Sequence, residues 1–548
     1  MFSRLRSSRS SLVIAGLLVI GVLAAAAVLL PRLITDGSVK TGGGATYTEA
    51  VAGTWQRINP IYADLNEVDS DLSSLVFSGL VKLGTDGSLQ PDLADLPDVS
   101  DAGKTYTFHL KHGLTWQDGV ALTSQDVSFT IAKVVDPDFK GDPAMAQAWQ
   151  DVTVETPDGE TVVMHLKQAS APFLARSATL GILPEHLLKG LSAAALFEAP
   201  FNSAPVGSGP YRLTSVDAHQ AKLIANAASS RGRPGIDNVV LKFYTDYPSA
   251  LRALTVGEVQ GLMVEDPLSD AQLADIGRLK GVKVDQPQLT AEVVLYLNND
   301  QSAYFADERV RRAISLALDR QAIVDQTMQG LATGSSSPIA PGTWSYASEY
   351  DSTSPDLATA RQLLDDAGWK LQPTTGILVK EGAEFRFTIR TDDDPVRMAI
   401  AGAVSQQLDQ IGIKATVAST TFSVLRRDFL SQRKYDAAIA VWDEGTDPDP
   451  YFGWHSSQMG TAGLNLANFA DVVADTLIAQ GRTSNDIETR KDDYRQFQEV
   501  WNELEPSVVI AYPRYTYIHT DQLKGYQSGP LFDPASRFTD IVHWKLQG

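Results

Sequence analysis

The chain has 548 residues, 66 acidic and 46 basic side chains, a formal charge of −20 and no cysteine. That length exceeds one compact core and implies two or three lobes. Without cysteine there is no disulfide, cysteine zinc site, iron–sulfur cluster, thiol nucleophile or lipid-modified cysteine, and so acidic a surface argues against a nucleic-acid partner.

Residues 1–11 carry Arg4, Arg6 and Arg9 and no acid, and 12–30 is an unbroken apolar run of 19 residues. At 1.5 Å per residue the run is about 28 Å long, close to a bilayer core. The arginines place the N-terminus inside and everything after the run outside. Two readings stand. The AAAA stretch at 24–27 offers an Ala-x-Ala cleavage site, but the run exceeds a signal h-region and apolar residues continue to Ile34. The length favours an uncleaved transmembrane anchor over 12–34, with a cytoplasmic N-terminus over 1–11. TDGSVKTGGG at 35–44 reads as a flexible tether. Residues 1–34 hold four arginines and no acid, so the outer part is more acidic than the whole.

From residue 45 strands and helices alternate without repeats, which predicts an α/β fold. TYTFHLK at 105–111 alternates like a strand, and Asp118-Gly119 marks a turn after Trp116. Ser124 is read as the N-cap of the following helix. TVVMHLK at 161–167 is a strand, and VGSGPYRL at 206–213 a glycine-rich bend entering one. Residues 249–256 read as a helix stopped by Gly257, and VVLYLN at 293–298 as a buried strand. Asp307 caps a helix with Val310, Ile314, Ala317 and Leu318 on one face. Helices over 357–367 and 398–410 end at Gly368 and near Gly412. Strands over 437–442 and 508–512 flank a long helix over 490–504.

No GxxxxGK[ST], HExxH or GxSxG motif occurs. Gly207-Ser208-Gly209 is too short for a nucleophile elbow and reads as a tight turn. His109 and His112 point to opposite faces of a strand and cannot share a metal. Asp443, Asp447 and Asp449 in WDEGTDPDP faintly suggest a calcium loop, which two prolines and a misplaced glycine break. No catalytic residue, metal site or cofactor is expected. A long, lobed chain of this kind fits a binding protein with its ligand between lobes.

Several segments carry a more specific signal. They are Asp86-Gly87, PDLA at 91–94, YTFHLK at 106–111, Trp116-x-Asp118-Gly119 and Asp126-Val127. LPEHL at 183–187, VGSGPY at 206–211, DERVRRA at 307–313 with Asp319-Arg320, and ARQLL at 360–364 with Ala367-Gly-Trp369 follow in order. Together with Trp442 and Asp447-Pro-Asp449, these resemble the family 5 extracellular solute-binding proteins, the dipeptide-, oligopeptide- and nickel-binding components of ABC importers.

The resemblance implies a periplasmic-binding-protein-like, three-domain Venus-flytrap fold. Domain I would comprise 45–76, 205–287 and 509–548, domain II 77–204, and domain III 288–508, with hinge crossings near 287 and 508. It implies a receptor that encloses a peptide by hinge closure, here with the apolar anchor of 12–34 holding it at the membrane. Its partners would be the permease subunits and their ATPases, with the receptor itself a non-enzymatic monomer. A non-transporting sensor, or a receptor for a nickel complex or oligosaccharide, is the alternative. Residues 49–59 would face the ligand, which nominates Ala50, Val51 and Gly53. In peptide-binding relatives a tryptophan is followed three positions later by an aspartate that holds the α-ammonium. Here that position is Gly445, so Asp443 or Glu444 is the expected cation anchor, Trp442 a cleft wall and Trp454 a bordering aromatic.

Overall fold

A computed structural model describes residues 44–548 except 265–267, 269, 444, 462 and 548. The expected N-terminus, anchor and most of the tether, 1–43, lie outside the described residues, as does Glu444. Among the described residues no helix is long and apolar enough to cross a membrane. The residues from Ala45 onward form one compact unit.

Three sheets organise it. The first has seven strands in the order Val282–Asp285, Thr516–Thr520, Gly261–Val264, Thr46–Ala52, Asn238–Tyr244, Gln220–Ala225 and Tyr211–Val216. Its central strand, Thr46–Ala52, is parallel to both neighbours, and the other pairings are antiparallel. The second is a four-stranded antiparallel sheet of Asp98–Ser100, Thr105–His109, Thr161–Leu166 and Val152–Glu155. The third has six strands: Ala332–Gly334, Val508–Pro513, Ala291–Leu297, Ala437–Asp443, Arg386–Asp392 and Lys414–Thr420. The chain passes between the first and third sheets twice. At these passages Leu289 N–H donates to the Pro513 carbonyl (2.8 Å) and Tyr515 N–H to the Pro287 carbonyl (3.0 Å).

The burial pattern explains the apolar runs. Ala437 and Ile439 face one core of the third sheet, and Ala438 and Ala440 face the other. A strand covered on both sides needs apolar residues at every position, not every second one. Local chemistry sets the helix ends. Asp307 caps Glu308–Ala317 by accepting from Arg309 N–H, at 3.0 Å. The helix Ser124–Val134 is capped by Thr123, not Ser124, because Asp126 reaches back to the Thr123 N–H (2.8 Å). The VGSGPY bend is a close approach more than a turn. Gly209 N–H donates to the Val76 carbonyl at 2.8 Å, and a Cβ on Gly207 would lie 1.9 Å from that same oxygen.

Candidate functional site

The helix Glu67–Val76 begins at Asn66, whose side chain accepts from Asp69 N–H. Val68, Leu72, Leu75 and Val76 enter the core. Ser70, Ser73, Ser74 and Phe77, at helical spacing, share another face and line a cavity of about 360 Å³. The opposite walls are Gly79 to Leu83, Arg176 with Thr179 to Gly181, Thr446, and the C-terminal stretch from Phe532 to Thr539. Its lining mixes the serine hydroxyls with Asp64, Asp533, Lys82 and the rings of Phe77, Trp149 and Phe538.

A buried charge network fixes two of these walls. Arg537 lies in the 3₁₀ turn Pro534–Phe538. Its guanidinium donates to both Asp71 carboxylate oxygens (2.7 and 2.6 Å) and to Glu49 (2.7 Å). Tyr517 O–H donates to the other Glu49 oxygen at 2.8 Å, and Tyr47 bonds Tyr517. Burial opposes the Arg537 charge, but Asp71 and Glu49 outweigh it and the guanidinium's pKa is raised. The serine helix, the first strand and the C-terminal wall are thus held by one arginine.

Asp64 stands differently. It is exposed to the cavity, and it makes no hydrogen bond or ion pair with any described residue. The surrounding protein raises its carboxyl pKa, and repulsion from Asp533 and Asp142 adds to the rise.

At the far wall Thr446 O–H donates to the Ala175 carbonyl (3.0 Å) and Ala171 N–H to the Arg482 carbonyl (2.9 Å). Just beyond, Asp447 and Asp449 are buried among arginines. Arg490 grips both oxygens of Asp447 (3.0 and 2.6 Å), Arg482 pairs with Asp449, and Arg176 lies 4.0 Å from it. Two of the three aspartates that suggested a calcium loop, Asp447 and Asp449, are therefore held by guanidinium groups.

The residues expected from sequence lie elsewhere. Ala50 is 1% exposed and packs with Ala250 and Leu254, while Val51 is buried in the core on the other face. Both were expected at the ligand because the strand end was, but helices and loops cover both faces of that sheet. Gly53, at φ +123°, edges a separate hollow with Glu67, Asp246 and Tyr247. Trp442 is half-buried against Gly453, with its indole N–H unpaired. Asp443 is exposed and accepts from Gly445 N–H (2.8 Å) and Thr290 O–H (3.4 Å). Trp454 has no exposed surface. It stacks on Tyr296 and meets Trp501 edge-on, which makes it core and not a cleft border. None of these lines the cavity, although Thr446 follows Asp443 by three residues.

Sequence reasoning missed Asp64, Ser70, Ser73, Ser74 and the Phe532–Asp533 corner. The available signal was the run of serines at 70, 73 and 74, which fall on one face of the helix Glu67–Val76 at i, i+3 and i+4.

Residues 88–463 match the family model described as bacterial extracellular solute-binding proteins, family 5 middle. The chain belongs to that family. It is similar to protein XP55 of Streptomyces lividans, 31% identical over 517 residues that cover 91% of this chain and 90% of that one. It is also similar to the oligopeptide-binding protein AppA of Bacillus subtilis, 29% identical over 495 residues and 89% of each chain. The structure of AppA with a nonapeptide superposes with a TM-score of 0.64 over 92% of this chain and all of that one, at 28% identity. HbpA2 of Haemophilus parasuis, at 19% identity, shares the fold with a TM-score of 0.80 over 92% of this chain and all of that one.

Proposed function

We propose that this solute-binding protein captures peptides outside the cytoplasm and delivers them to an ABC permease. The observation that carries the reading is the polar, serine-faced cavity in a chain of this family, whose relative AppA binds a nonapeptide. A cavity that mixes hydroxyls, acids and aromatic rings suits a peptide's main chain and varied side chains.

The working parts are three lobes: 45–76 with 205–287 and 509–548, then 77–204, then 288–508. Supporting this partition, each lobe carries one of the three sheets, apart from the strand Val508–Pro513 at a boundary. The two passages near 286–290 and 514–515 run antiparallel and are bonded to one another, as a two-stranded hinge requires. Trp442 and Asp443 support the cavity only at a remove, at the end of the strand Ala437–Asp443 that leads to Thr446. The arginine-flanked apolar stretch at 12–30 anchors the receptor in the membrane, with the binding lobes outside. An anchor keeps the receptor close to its permease and raises its effective concentration there.

Calorimetric titration of the full chain with di- to nonapeptides tests this, with a nickel–histidine chelate and an oligosaccharide as controls. Saturable binding of peptides and not of the controls is expected. Heat from a control alone would keep the fold and overturn the substrate.

A further inference from the structure

We infer that the cavity selects a ligand bearing a cationic group, an ammonium or guanidinium, which it seats between Asp64, Asp533 and the serine face of the helix Glu67–Val76. The inference deepens the peptide reading and rests on it for the ligand's backbone, but not for its charge.

Four observations converge on one end of the cavity. Asp64 has no positive partner among the described residues. Asp533 lines the same space, and the oxygen it commits is the one that accepts from Ser536 N–H (2.7 Å) and O–H (2.6 Å). Ser73 is 5% exposed, its hydroxyl has no hydrogen-bond partner, and it lies on the helix face that lines the cavity. A hydroxyl so buried is costly unless something bonds it, and a ligand N–H is a suitable donor. The basic side chains around the cavity each face an acid, Arg176 sharing its acid with Arg482. Lys82 holds Asp540 at 3.2 Å, Arg231 holds Asp92 at 2.7 Å, and Arg176 faces Asp449 at 4.0 Å.

The balance of charge is therefore asymmetric. The cavity's cations are spoken for, and its acids at this end are not. An anionic group here would meet Asp64 and Asp533 with nothing to offset them. A cation would form charge-assisted hydrogen bonds to Asp64 and relieve the repulsion among the acids. Phe77, Trp149 and Phe538 also line the cavity, so the methylene stem of a lysine or arginine has apolar surface to lie on and its head an aromatic face.

The test titrates the full chain with penta-alanine and with its single-lysine and single-glutamate variants at every position. At one position lysine is expected to tighten binding about tenfold over alanine and glutamate to weaken it. Asp64→Asn should erase that difference, read as the ratio of lysine-peptide to alanine-peptide affinity within each protein, whatever happens to the affinity for penta-alanine itself. Lysine and glutamate variants that bind alike at every position overturn the proposal. So does a lysine preference that survives both Asp64→Asn and the Asp64→Asn/Asp533→Asn double variant.

If no peptide binds, the peptide reading fails and the charge proposal is decided with spermidine against glutarate in a thermal-shift assay. A shift with spermidine alone that Asp64→Asn removes supports the proposal. No shift with spermidine overturns it.

Discussion

Two groups of aspartates lie near the same cavity and have opposite fates. Asp447 and Asp449 are buried and gripped by Arg490 and Arg482. Asp64 and Asp533 line open space, and Asp64 meets no cation among the described residues. Burial explains the first group, since a carboxylate removed from water needs a partner of opposite charge within the fold. The second group faces the cavity and is left for something that arrives. One residue type thus serves structure in one place and recognition in the other, and the presence of an internal arginine separates the two.

Removing an internal arginine should break this contrast most severely. Arg537→Met removes the cation from both Glu49 and Asp71 and leaves Glu49 only the Tyr517 hydroxyl. It is expected to cost about 5 kcal/mol of stability, measured by denaturant unfolding. It should also weaken ligand binding, because the turn it pins carries the Phe538 wall. A loss below about 1 kcal/mol would mean the network is idle. Arg490→Met comes next, at about 3–5 kcal/mol, because it leaves Asp447 buried and charged. Asp447→Asn added to it should recover part of that loss. Failure of the double variant to recover anything would show that packing, and not the pair, was lost.

A third kind of acid sharpens the comparison. Glu505 is buried with one oxygen unpaired, and burial raises its carboxyl to about 7 against the pull of Arg320. Its folded-state pKa is above the unfolded value, so the folded protein holds the proton more tightly. Stability from this group is full below about pH 4.5 and falls as pH rises through about 7. Glu505→Gln should flatten the stability profile across that window, and an unchanged slope would remove Glu505 as its cause. The smallest effect belongs to Asp64→Asn. Relief of repulsion from Asp533 and Asp142 should leave the melting temperature unchanged or slightly higher at neutral pH, and a clear drop would reveal a structural partner for Asp64.

Much of the fold was legible because its signals are local. Asp307 and Gly368 mark helix ends through their own chemistry, and runs such as Val508 to Tyr512 announce strands covered on both faces. The Thr123 cap was misplaced by one residue because either hydroxyl fits, and only the reach of Asp126 decides. The site was far less legible. Ala50 and Val51 were nominated only by the resemblance, which places 49–59 at the ligand, and whether a strand residue meets ligand depends on what packs over it. Asp64, Ser73 and Asp533 are brought together by a C-terminal segment more than 450 residues away, and no periodicity in the sequence records that. The pairing of Arg537 with Asp71 spans 466 residues and was equally silent.

The central claim is that ligand enters the cavity faced by Ser70, Ser73 and Ser74. Ser70 is half-buried on that face, so Ser70→Trp fills the space from its edge without cutting into the core. Calorimetry of the wild-type chain and of this variant, against the same pentapeptides, tests the claim directly. The account predicts saturable binding to the wild type and none to Ser70→Trp, at matching melting temperatures. Equal affinity for both would place the ligand elsewhere and contradict it.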